Sequence, residues 1–279
     1  MRIPFTKAHG AKNDFLLTPA EAAPATGLAE AARAICDRHT GVGADGWYLI
    51  DRAGGKDYHA RVRLLNSDGS PAEVSGNGTR CAAAWLIDSG VEGPDIRILT
   101  GAGVKRLRLI ERDGLRFAFE MGMGRIGWRE ENLRTSINLR GGSCEATILD
   151  VGNPQCAVFV ENFDFDWRGM GVELEHHPRF PNRTNVSFVR LVDRHTIEVR
   201  IWERGAGETL SSGTGSTGAA AAAILRGLAD SPVRVMTPAG PLVVQGGEEY
   251  TMVGPAELVA RGEFYMEGGT DALRTGPAT

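Results

Sequence analysis

Polar and apolar residues alternate along "ARVRLLN" (60–66) and again along "IEVRIWE" (197–203), the period-two pattern of a strand with one buried face. Each run leads into a Ser-led glycine turn and an alanine-rich stretch, "SGNGTRCAAAWLIDSG" (75–90) and "SSGTGSTGAAAAAILRG" (211–227). Ser ahead of a Gly-x-Gly turn is an N-cap signal, alanine favours helix, and Gly90 and Gly227 stand where a helix ends on a left-handed residue. A second alternating run follows each time, "IRILTGAG" (96–103) and "VRVMTPAG" (233–240). All three pairs fall on one gapless offset of 137 residues, which marks a duplicated unit far too long for a solenoid repeat.

Much of the remainder, including "RLRLI", "RFAFEM", "CAVFV", "VSFVRL" and "PLVVQG", is short, rich in β-branched residues and broken by Gly, Pro or Asn, so strands outnumber helices. The predicted class is α/β in the α+β sense: two pseudo-symmetric, strand-rich domains, each wrapped around a central Ala-rich helix, with a cleft between them. Small alanine side chains let strands approach such a helix closely, so packing is the first role of "AAAAAIL". The stretch "EMGMGRIGWREEN" (120–132), glycine-broken and then polar, is the predicted boundary between the copies.

Length and composition agree with two domains. The chain has 279 residues, 42% apolar and 24% charged, with a formal net charge of -4, which disfavours polyanions and so nucleic acid as a partner. No apolar run approaches ~20 residues, and the start "MRIPFTKAHGAKNDF" carries no apolar signal-peptide core, so a membrane role is not expected and a cytoplasmic location is. Cys36, Cys81, Cys144 and Cys156 form no CxxC pattern, His176 and His177 are adjacent rather than spaced along one face, and no HExxH occurs, so neither a disulfide framework nor a metal site is signalled.

The paired helix starts are the chemistry-bearing feature. A helix N-terminus presents unpaired N–H groups and partial positive charge to an anion, and glycines let that anion approach. Two such starts facing each other across a cleft would set Ser75 and Ser212 on opposite sides of one small ligand, the arrangement needed to remove a proton from one face of a carbon and add one to the other. Each serine is also a good helix cap in its own right. A nucleotide site would need a Lys or an acid close behind the glycine loop, and neither "SGNGTRCAAAW" nor "SSGTGSTGAAAA" supplies one.

Six further segments complete the pattern: "HGAKNDF" (9–15), "HTGVGADG" (39–46), "NSDGSPAEVSGNGTRC" (66–81), "GNPQC" (152–156), "NRTNV" (182–186) and "ERGAGETLSSGTG" (203–215). Together they resemble the diaminopimelate epimerase family over essentially the whole chain. The resemblance implies a cofactor-independent amino-acid epimerase, needing neither pyridoxal phosphate nor metal, that converts LL-2,6-diaminopimelate to the meso isomer for lysine and cell-wall precursors. It further implies that the last strand returns to the first domain, giving domains of 1–124 plus about 260–279 and of 125–259, and that the protein is a homodimer. Carried over position by position, the substrate shell falls on Asn13, Asn66, Gly76, Asn77, Asn153, Asn185, Glu203, Arg204, Gly213 and Thr214. Amides with Glu203 and Arg204 suit an amino acid's ammonium and carboxylate groups.

The chain departs from the family where the chemistry is done. Ser75 and Ser212 occupy the places of a thiolate base and a thiol acid, Gln155 stands where His is usual, and Gly46 where Gln is usual. A helix N-terminus can bring a thiol from ~8.5 into the working range, whereas a hydroxyl near ~15.7 lies roughly seven units higher, or about 10 kcal/mol. Four readings stay open on this basis: a diverged epimerase that is slow or uses another base, with Glu203 and Glu208 as candidate carboxylates; an inactive form of that enzyme; a racemase or dehydratase of the same fold acting on another amino acid; and a non-catalytic amino-acid binder.

Overall fold

The computed structural model describes residues 1–52, 55 and 57–266. The alternating segments fold as strands. β1 (Arg2–Gly10) and β2 (Asn13–Pro19) form a hairpin, α1 (Leu28–Cys36) crosses to β3 (Gly46–Asp51) parallel to β2, and β4 (Ala60–Asn66) turns back antiparallel to β3. The short β5 (Pro71–Ala72) leads into α2 (Gly76–Asp88), after which β6 (Asp95–Thr100), β7 (Gly103–Asp113) and β8 (Arg116–Gly124) form a meander.

The second half repeats this order. β9 (Thr135–Leu139) and β10 (Gly142–Asp150) pair; β11 (Pro154–Phe159), α3 (Trp167–Glu175) and β12 (Asn185–Asp193) make a second parallel crossover. β13 (Thr196–Glu203) and β14 (Gly207–Thr209) then lead into α4 (Gly213–Leu225), followed by β15 (Val233–Thr237), β16 (Gly240–Gln245) and the long β17 (Tyr250–Tyr265). The helices α2 and α4 are displaced by the same 137 residues as their sequence motifs.

β17 belongs to both halves. Its start pairs with β16 and β8, and its remainder, 257–265, pairs with β1. With it, β1, β2, β3, β4, β6, β7 and β8 close into a ring around α2. Ala256 and Leu258 accordingly lie in the first core, while Tyr250 and Met252 lie in the second, and the expected tail of the first domain beyond Met266 falls outside the described residues.

Alanine makes both centres possible. Ala82, Ala83 and Ala84 of α2 and Ala219 through Ala223 of α4 are buried, and strands pack around each helix on most sides. Gly78 is the closest approach: a Cβ there would sit 2.3 Å from the Tyr48 ring, whose hydroxyl donates to the Ser75 carbonyl at 3.3 Å. Both helices end as the sequence predicts, on left-handed Gly90 (φ 93°) and Gly227 (φ 70°). The bonds Val91 N to Leu86 O and Leu228 N to Ala223 O close the two C-terminal turns alike. Among the described residues no helix is long and apolar enough to cross a membrane.

Candidate active site

The two helix starts open into one cavity of about 780 Å³ between the halves. Its wall includes Ser75, Gly76 and Asn77 from the first copy and Ser212, Gly213 and Thr214 from the second, together with Asn13, Asn66, Asn153 and Glu203. Both serines are caps as well: Ser75 Oγ accepts from Gly78 N and Ser212 Oγ from Gly215 N, each at 3.2 Å. A hydroxyl used this way accepts the helix N–H and keeps its own proton for the cavity. At Gly76 an added Cβ would meet nothing within 4 Å, so this backbone is open to the space a ligand would fill.

Two expected residues do not line the cavity. Asn185 is buried, with Nδ2 donating to Pro154 O and Oδ1 accepting from Arg204 N, each at 3.0 Å. Arg204 is exposed, and its guanidinium donates to Asn182 O at 3.0 Å rather than lining the cavity. In this structure Asn185 therefore braces the loop after β13, and Arg204 is held by its backbone.

The carboxylates separate clearly. Glu208 lines the cavity but is clamped by Arg168, whose Nε and Nη2 donate to its two oxygens at 2.6 and 2.9 Å. Glu203 accepts from Thr209 Oγ1 at 3.3 Å and has no ion pair among the described residues. Of the two candidates, Glu203 is the one left free to take a proton or hold an ammonium group.

Several polar residues at or near the cavity were not among the expected site residues. Ser211 Oγ is buried on the cavity wall without a hydrogen-bond partner, where the other copy has Val74; the mismatch at the 137-residue offset is the trace in sequence. Lys12 and Lys105 also line the cavity. Lys12 sits with Ala11 in the two-residue β1–β2 turn, at φ 60° and 50°, and its Nζ donates across to Pro238 O at 3.4 Å. Glu175, at the end of α3, is 3% exposed and accepts from Trp202 Nε1 (2.8 Å), Gly205 N (2.9 Å) and Arg183 Nη1 (3.2 Å). Burial opposes its ionisation, but these donors hold its carboxyl below the usual range. An acid in the last turn of a helix opposes the macrodipole, and that was the available clue.

The departures in sequence have physical counterparts. A Cβ on Gly46 would come within 3.0 Å of Leu65 O, 3.1 Å of Leu64 and 3.3 Å of Phe15, so two cavity-lining apolar side chains crowd the place of a longer residue. Gln155 is buried beside the cavity and donates to Asn153 Oδ1 at 2.7 Å. Burial pushes the Cys36 and Cys81 thiols up to about 12 and raises those of Cys144 and Cys156, so none of the four substitutes for a thiolate at a helix start. Among the described residues no three His, Cys, Asp or Glu side chains are grouped to hold a metal ion.

A family model described as diaminopimelate epimerase matches residues 5–127 and 147–259, one segment in each half. This chain belongs to the diaminopimelate epimerase family. Curated relatives of that name include proteins from Acetivibrio thermocellus, 36% identical over 93% of this chain and 97% of theirs, and from Ectopseudomonas mendocina, 38% identical over 95% of this chain and all of theirs. The fold extends beyond diaminopimelate epimerases. Among solved structures, a methylitaconate-delta-isomerase superimposes with a TM-score of 0.70 at 14% identity over 99% of each chain. A hydroxyproline epimerase from Agrobacterium vitis does so with 0.65 at 16% over 94% of this chain and 92% of that one.

Proposed function

We propose that this protein is a cofactor-independent amino-acid epimerase that inverts one α-carbon of 2,6-diaminopimelate, taking the LL isomer to the meso form. The observation that carries the reading is the delivery of two capped helix starts, with a serine hydroxyl on each, into one cavity from two duplicated halves. The substrate's α-carboxylate lies between them, where exposed N–H groups complement the charge that builds on it as the α-proton leaves. Glu203 faces the ammonium group or takes the proton, and Ser75 and Ser212 serve the two faces of the carbon.

Hydroxyls make this a slow catalyst. A helix end contributes at most ~2 kcal/mol against the roughly 10 kcal/mol separating alkoxide from thiolate formation. The reading extends to a cytoplasmic location, expected from the lack of an apolar signal-peptide core, and to the homodimer the family resemblance implies; light scattering of the purified protein would check the dimer.

The deciding experiment is α-hydrogen exchange with LL-diaminopimelate in D₂O, followed by proton NMR with chiral separation of the isomers. Deuterium incorporation with meso product, both lost in Ser75→Ala and Ser212→Ala, is the expected result. A protein that binds the ligand yet gives neither over days is a binder and not an epimerase.

A further inference from the structure

The two helix starts are alike in backbone and unlike in what stands behind them. In the first half, Arg80 lies one turn along α2 from Asn77, is 0% exposed and has no ion pair among the described residues. Its Nη2 donates to Asn77 Oδ1 at 2.5 Å and its Nε to Pro255 O at 2.9 Å, while Nη1 is buried without a partner. Gly254 makes the room: a Cβ there would come within 2.8 Å of the guanidinium carbon. Asn77 Nδ2 donates on to Asn13 Oδ1 at 3.3 Å, and Asn13 Nδ2 to Asp45 Oδ2 at 2.6 Å, with Arg38 on the other Asp45 oxygen.

This string has a fixed direction. Arg can only donate and ionised Asp can only accept, so both amides between them are held in one orientation. Asn77 and Asn13 are wall residues of the cavity, and the buried cation stands directly behind them.

The second half has an uncharged string that donates toward its helix start instead of away from it, and Thr217 takes no part in it, its hydroxyl donating to Gly213 O at 2.8 Å. Thr217 is the counterpart of Arg80 and Thr214 of Asn77 at the 137-residue offset. Gln155 Nε2 donates to Asn153 Oδ1 at 2.7 Å and Asn153 Nδ2 to Thr214 Oγ1 at 3.4 Å, while Gln155 Oε1 is buried and unpartnered. No donor-only group starts this row and no acceptor-only group ends it.

We propose that Arg80 is a positioning residue that makes the two faces of the site electrostatically unequal, locking Asn77 and Asn13 and turning the α2 start into the better holder of negative charge. A group presented at position 75 consequently ionises more readily than one presented at position 212. Burial draws the Arg80 pKa down only to about 10, so its charge persists at neutral pH.

The other charges near the first face are accounted for. Lys7 and Arg38 neutralise Asp14 and Asp45, and His9 faces Glu257 across β1 and β17. Tyr48 touches the Ser75 carbonyl, and burial keeps its phenol and the neighbouring Cys81 neutral. Lys12 and Lys105 from the first half, and Glu203 and the Arg168–Glu208 pair from the second, border the shared cavity rather than one face.

The inference takes the roles of positions 75 and 212 from the function proposed above, but its test reads ionisation without turnover. Ser75→Cys and Ser212→Cys would be made singly in the full chain and titrated by thiolate absorbance, with the parent protein, whose own four thiols are all raised by burial, as baseline. The expected result is an ionisation constant at least tenfold larger for the thiol at 75. Adding Arg80→Met should remove most of that difference while leaving the thiol at 212 within twofold, and Arg80→Lys should restore part of it. Equal midpoints in the two single variants would overturn the proposal even if every Arg80 variant failed to fold. So would an Arg80→Met effect of equal size at both positions.

Discussion

At matched positions the two halves carry Asn77 against Thr214, Arg80 against Thr217 and Val74 against Ser211, although Ser75 and Ser212 make identical 3.2 Å cap bonds. The loops beside the cavity differ in the same way. In the first half the turn after β4 is tied by exposed groups, Arg33 donating to Asp68 O at 3.1 Å. In the second, Arg204 N and Gly205 N are each held by a buried side chain, Asn185 and Glu175. Duplication supplied two equal helix starts, and their surroundings diverged toward charge on one side and a buried brace on the other.

The largest expected effect restores what both faces lack. A Ser75→Cys/Ser212→Cys protein should raise α-proton exchange by about 10²–10⁴-fold over the parent, the usual contribution of a well-matched acid–base pair; exchange in D₂O by NMR reads it. A null result would mean that the two faces have diverged too far for thiols to cooperate across them.

Next comes the brace present in only one half. Glu175→Ala leaves the Trp202 and Gly205 donors without their acceptor and should cost about 3 kcal/mol in urea unfolding. Because the folded pKa of Glu175 is depressed, its stabilisation is complete above the ordinary carboxylate value of ~4.3 and is lost as pH falls through the lower folded value. Melting of the parent below about pH 4.3 should therefore be steeper in pH than that of Glu175→Gln. The smallest effect tests the shared part: Ser75→Ala and Ser212→Ala should each cost ~1 kcal/mol and differ by less than half of that.

The repeat was legible because it rests on local rules: a cap, a glycine turn, alanines and alternation, all confined to neighbouring residues. The placement of α2 and α4 at one offset and their glycine ends followed from these. Family motifs brought Asn13, Asn66, Asn77, Asn153 and Glu203 to the cavity with the serines. What sequence did not convey depends on contacts between distant segments. Asn185 opens β12 and Arg204 follows β13, and only the meeting of 182, 185 and 204 holds the guanidinium outward. Nothing within "SGNGTRC" marks Arg80 as buried; β17, 175 residues away, covers it with Pro255 and Gly254.

The shared strand also dictates when the protein can fold during synthesis. β1 must wait for the last stretch of β17, and Met1 N meets Met266 O at 2.6 Å across 265 positions of chain. While the ribosome is still making the second half, the first ring stands open with the edges of β1 and β8 bare. The N-terminal half is thus the last to be completed, and a nascent chain stalled between residues 124 and 250 exposes two adhesive strand edges for as long as the stall lasts.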